Sequence, residues 1–136
     1  MSRFLHFVLI LTLTACTDPN EDCCGELTEV NLDEPFSINK GETVDVKSSI
    51  ISITFTDLLE DSLCPDDVEC VTQGTLLIAI EVNGTEKKVS IGDNAKPTAV
   101  YKNYLIELQR LVYPTNEAEK ANINSTYAVQ MIISRQ

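Results

Sequence analysis

The side chains able to do chemistry in this sequence crowd into one stretch, Glu60-Asp61-Ser62-Leu63-Cys64-Pro65-Asp66-Asp67-Val68-Glu69-Cys70-Val71-Thr72-Gln73-Gly74. Its carboxylates, together with Asp57 just upstream, are the densest cluster in the chain. Oxygen ligands of this kind suit a hard cation such as calcium, and Asp61, Asp66, Asp67 and Glu69 form the candidate set. Calcium takes about six to eight oxygens, and the spacing is not that of a helix-loop-helix calcium site. A solvated acidic loop is therefore the favoured reading. The neighbouring pairs Glu60/Asp61 and Asp66/Asp67 do not make a glycosidase. That chemistry needs two carboxylates held across a sugar-sized cleft with one pKa raised, and adjacent residues on a loop supply neither condition. The single histidine, His6, lies near the N-terminus, and there is no tryptophan. Once the leader described below is removed, the sequence offers no Ser-His-Asp or Cys-His arrangement, no histidine zinc ligand and no histidine general base. No catalytic residue and no cofactor are expected, and the chain is read as a non-enzyme.

What positions that stretch begins with the N-terminus. Residues 1–15 have a positive start at Arg3, an apolar run from Phe7 to Leu13, and small residues before a cysteine. The run is too short to span a bilayer and has the layout of a secretory signal. Leu13-Thr14-Ala15-Cys16 resembles the lipobox of bacterial lipoproteins. The resemblance implies cleavage before Cys16, a thioether-linked diacylglycerol on its sulfur, and an acyl chain such as palmitate on its new amine. Two or three acyl chains anchor stably where one binds only marginally. The acidic residues of Thr17–Asp22 resemble the export signals by which Bacteroidetes-type bacteria send lipoproteins to the cell surface. The expected location is the outer membrane, lipid-anchored, on its periplasmic or outer face.

Charge narrows the partners. The formal net charge is −11, and loss of the leader removes Arg3 and no acidic residue. Such a surface repels phosphate backbones and anionic headgroups, so nucleic acid is not an expected partner, and the membrane is reached through the covalent lipid on Cys16. An exported chain also sits in an oxidising compartment. Besides Cys16 it has four cysteines, which allow three pairings. Cys64 with Cys70 is the expected disulfide, a short closure worth roughly 2 kcal/mol. The pairing of the adjacent Cys23 and Cys24 is left open, since a bond between neighbours strains the intervening peptide.

The elements on either side of the cysteine loop read as strands. Phe36 and Ile38 alternate with polar residues, Lys40-Gly41 turns, and Thr43 to Lys47 alternates again through Val44 and Val46. Ile51, Ile53 and Phe55 mark a strand that runs through Asp57-Leu58-Leu59 into the loop. After the loop, Thr75 to Val82 places Leu76, Ile78, Ile80 and Val82 on one face. Asn83-Gly84 supplies the positive φ that a two-residue type I′ turn needs at both centres. Pairing Val82 with Thr85 then sets Ile78 opposite Val89 and Leu76 opposite Ile91, with Ala79 facing Lys88 and Leu77 facing Ser90. Val100 to Val112 fits both a strand and a helical stripe, and strand is chosen for its Tyr, Ile and Val content and the nearby Pro114. Thr115 to Ala121 reads as one helical turn capped by Thr115 or Asn116. Tyr127, Val129, Met131 and Ile133 alternate to the end.

These signals predict an all-β fold, a small antiparallel β-sandwich or partly closed barrel with one disulfide-closed loop. The expected organisation is a leader over 1–15, a lipidated cysteine and acidic tether over 16–34, and a single β-domain over 35–136. At the central stretch the chain resembles an uncharacterised family of small exported β-domain proteins that carry Glu-Asp-Ser-Arg-Cys-Pro, then Val-x-Cys-x-Trp-x-Gly, between two strands. It matches at Glu60, Asp61, Ser62, Cys64, Pro65, Val68, Cys70 and Gly74, and Leu108 to Pro114 is similar to a later part of the pattern. Leu63 stands in place of the arginine and Thr72 in place of the tryptophan. The resemblance implies a β fold and an exported home, and no activity. The leading expectation is a non-catalytic envelope module that binds a protein or glycan. The alternatives are a divalent-cation-dependent module using the acidic loop, or a secreted protein resembling protease inhibitors.

Overall fold

The computed structural model describes residues 28–136. Cys16, Cys23, Cys24 and the leader lie outside them. Nine strands and one short helix follow in order: β1 (Thr28–Val30), β2 (Phe36–Asn39), β3 (Thr43–Val46), β4 (Ser52–Asp61), β5 (Thr75–Val82), β6 (Thr85–Gly92), β7 (Thr98–Tyr101), β8 (Tyr104–Tyr113), α1 (Glu117–Ala121) and β9 (Ala128–Arg135). They form two sheets, ordered β1-β3-β4-β5-β6 and β2-β9-β8-β7. All pairings are antiparallel except β1 with β3. The architecture is a sandwich rather than a closed barrel, because each sheet keeps two edge strands.

Alternation makes the core. In β5 the residues Leu76, Ile78, Ile80 and Val82 are fully buried, and across from them in the second sheet so are Ile106, Val129, Met131 and Ile133. Branched aliphatic side chains suit this position, since they pack on a pleated surface with little rotamer freedom to lose. The β5–β6 hairpin has the expected register, from Val82 opposite Thr85 to Leu76 opposite Ile91. Its turn residues Asn83 and Gly84 have φ of 46° and 79°, the positive values that type I′ requires. The Asn83 side chain also accepts from the Ser52 amide at 2.7 Å and donates to the Ile50 carbonyl at 2.7 Å, tying the turn to the start of β4.

Three features depart from the expected layout. The sheet begins at β1, whose Val30 packs into the core, so residues assigned to a tether ending at position 34 already belong to the domain. A three-residue strand with one buried position shows no period for the sequence to reveal. The segment Val100 to Val112 is two strands joined by Lys102-Asn103, with Tyr101 opposite Tyr104 and Lys102 at φ 53°. The positive φ falls on lysine, which does not advertise it, and Asn103 alone, with no glycine beside it, is a weaker turn mark than Asn83-Gly84. Last, β4 continues past Leu59 to Asp61, with bulges between Phe55 and Asp57 and between Leu58 and Glu60. Each bulge sets an extra residue against β5 and changes which side chains face inward. Phe55, Leu58 and Asp61 lie opposite Ile80, Ile78 and Leu76, so Leu58 takes the core-facing place that strict alternation gives to Asp57.

Candidate functional site

The loop leaving β4 is tied at its base and at its tip. At the base, Ser62 donates its amide to the Thr75 carbonyl at 2.8 Å, and Cys64 does the same to Gln73 at 2.8 Å. Gly74 closes the base at φ 74°, where a Cβ would collide with the Ser62 carbonyl, so only glycine fits. Cys64 and Cys70 form the expected disulfide, with Cα atoms 5.9 Å apart. Near the tip, the Asp66 amide donates to the Thr115 carbonyl at 2.8 Å, and the Asp67 carboxylate accepts from the Glu117 amide at 2.9 Å.

Those last contacts reach the segment that carries α1. Asn116 is its N-cap, accepting from the Glu119 amide at 2.8 Å while the Glu119 side chain reaches back to the Asn116 amide at 3.4 Å. This reciprocal arrangement satisfies donors that a helix start leaves free, and Asp67 satisfies another. A five-residue helix is too short to persist unaided. Here its ends are held by the cysteine loop. Pro114, which precedes it through a cis peptide bond, is buried.

The four candidate cation ligands do not converge. Asp61 points inward, with a side chain only 7% exposed, and forms an ion pair with Lys120 at 2.7 Å. It also accepts from the Tyr127 hydroxyl at 2.7 Å. Lys120 spends a second proton on the Leu63 carbonyl at 2.9 Å. Burial, then the hydrogen bond and charge of Asp61, push the Tyr127 phenol up to about 12. Asp61 is thus a structural junction joining the end of β4 to α1 and to the approach of β9. Asp67 serves the helix, and Glu69 is exposed. Among the described residues no group of three or more His, Cys, Asp or Glu is placed to hold a metal ion. Asp57, facing outward after the first bulge, pairs with Lys40 at 2.7 Å, whose hydrogen bond holds its carboxyl below the usual range.

Beside the loop lies a cleft of about 250 Å³. Leu63, Ile91 and Leu111 give it an apolar lining, and all three pack against the core. Cys64, Asp66, Gln73 and Thr115 form the side nearest the disulfide, and Gln109, Arg110 and Lys120 complete it. Arg110 Nε donates to Gln130 Oε1 at 2.9 Å across β8 and β9. Sequence reasoning found Asp66 and the disulfide but not Arg110, Lys120 or Tyr127. Their partners are distant in sequence, 59 positions for Lys120 with Asp61 and 66 for Tyr127 with Asp61. Lys120 sits on α1 and Tyr127 lies just before β9, so only the tertiary fold brings them to Asp61.

No family model, curated protein or solved structure matches the chain.

Proposed function

We propose that this chain is an outer-membrane lipoprotein, cleaved before Cys16, held by diacylglycerol and acyl chains on that residue, and displaying its β-sandwich as a non-catalytic binding module for a protein or glycan. The observation that carries this reading is Leu13-Thr14-Ala15-Cys16, placed directly after a charged start and a short apolar run, the order that export and lipidation require. A rigid sandwich with a braced loop at one end suits display, because loops held on a fixed scaffold are where binding residues concentrate. The absence of any histidine beyond His6 supports binding over catalysis. Cys16 lies outside the described residues, so the test addresses it directly. Wild-type protein is expected in the detergent phase after cloud-point separation of cell extracts, and Cys16→Ser in the aqueous phase. Equal partitioning of the two would overturn the anchor. Protease treatment of intact cells then separates a periplasmic from an outward orientation.

A further inference from the structure

The cleft beside the disulfide loop contains two side chains of opposite charge that lack charged partners. Arg110 and Asp66 both line it. Neither takes part in an ion pair among the described residues, where the pairs are Lys40 with Asp57 and Lys120 with Asp61. We propose that this cleft binds the zwitterion of a free aliphatic α-amino acid, with its carboxylate on Arg110, its ammonium on Asp66 and its side chain against Leu63, Ile91 and Leu111. The proposal deepens the binding-module reading by naming a ligand, and it rests on that reading for the module's role but not on the lipid anchor.

Arg110 is held for such a task. Its Nε donates to Gln130 Oε1 at 2.9 Å, which orients the guanidinium and leaves its two terminal nitrogens free. A guanidinium fork matches a carboxylate in two parallel hydrogen bonds. Asp66 is held by its backbone: its amide donates to the Thr115 carbonyl at 2.8 Å, and the Cys64–Cys70 disulfide closes the loop around it. Its carboxylate makes no hydrogen bond among the described residues. The second cation of the cleft, Lys120, is neutralised by Asp61 at 2.7 Å. One positive and one negative group therefore remain without a charged partner in the cleft, a pattern complementary to a ligand that carries both charges and no net one.

Size and lining narrow the class. A cleft of about 250 Å³ lies below the ~300–1,000 Å³ of drug-sized ligand sites. No aromatic residue lines it, so it offers no stacking platform for a sugar ring or a base. Its apolar surface is aliphatic, and the amides of Gln73 and Gln109 can serve the remaining donors and acceptors of a small polar ligand.

The test is calorimetric titration of L-leucine into the full chain in detergent micelles, with N-acetyl-leucine and leucinamide as probes that each lack one charge. Saturable binding of leucine is expected, weaker by about tenfold or more for either probe, since each loses a charge-assisted contact. Arg110→Met and Asp66→Asn change exposed side chains, and an unaltered melting temperature confirms that each variant folds. Each is expected to weaken leucine binding by a similar factor. Asp66→Asn should also stop distinguishing leucine from N-acetyl-leucine, and Arg110→Met should stop distinguishing leucine from leucinamide. No saturable binding of leucine, or unchanged binding in either folded variant, would overturn the proposal. Equal binding of N-acetyl-leucine and leucine by wild type would do so too, by assigning the cleft to the carboxyl end of a peptide. If leucine fails while envelope material still retains the protein, the ligand is wrong and the binding-module reading stands.

Discussion

Asp61 shows how far one residue's role can diverge from its appearance in the sequence. Among five neighbouring acids it looks like a solvated loop residue, yet it is the acid turned inward to Lys120 and Tyr127. Removing one partner of a buried pair leaves the other charge uncompensated. Asp61→Ala is therefore expected to lower unfolding free energy by about 3 kcal/mol, whereas Asp66→Asn should change it by only a few tenths, as exposed substitutions do. Urea midpoints of the two variants check this contrast. Tyr127 adds a pH dependence. Its folded pKa of about 12 lies above the ordinary 10.0, so the unfolded chain releases this proton first as pH rises. Its contribution is complete below pH 10 and is lost between pH 10 and about 12. Urea midpoints should fall across that window, and Tyr127→Phe should remove this part of the fall. Nothing local marks Asp61 or Tyr127 for these roles, because the contact joins positions 66 apart.

At the scale of elements, legibility follows from whether the information is local. The β5–β6 hairpin could be read to the residue because Asn83-Gly84 states its turn type and the apolar sets on the two strands coincide in only one register. Gly84→Val is expected to destabilise the domain by about 1 kcal/mol or more through strain at positive φ. Open space surrounds its Cβ position, so no steric clash enters the comparison. Lys102-Asn103 also joins two strands, but its positive φ falls on lysine and no glycine follows, so the mark is weaker and β7 and β8 read as one strand. The β4 bulges are equally silent, since a bulge is a relation to the partner strand rather than a property of its own residues. The cysteine loop lies between these cases. Its disulfide was legible from spacing, while its docking on Thr115 and Glu117 was not. Replacing Cys64 and Cys70 with serine should lower stability by about 2 kcal/mol in the chain-entropy account. Any larger loss reports the contacts to α1, and adding Asp67→Asn to that variant separates them.

Taken whole, the molecule is an open two-sheet sandwich whose braced loop, short helix and small cleft all lie around the junction of β4, β8 and α1. The fold class was legible because period-two alternation with branched residues recurs in strand after strand. The cleft was not, because its walls come from the cysteine loop, β6, β8 and α1 together. Calcium at millimolar concentration is expected to leave the melting temperature unchanged, because Asp61 and Asp67 already have partners in Lys120 and the helix start. A rise that disappears in Asp66→Asn with Asp67→Asn would return the acidic loop to the role of a cation site. The anchoring claim has a direct chemical readout in the N-terminal peptide of the protein purified from membranes and analysed by mass spectrometry. The account predicts a peptide that begins at Cys16 and carries the mass of a diacylglycerol and an acyl chain, and a peptide retaining residues 1–15, or beginning elsewhere without lipid, would contradict it.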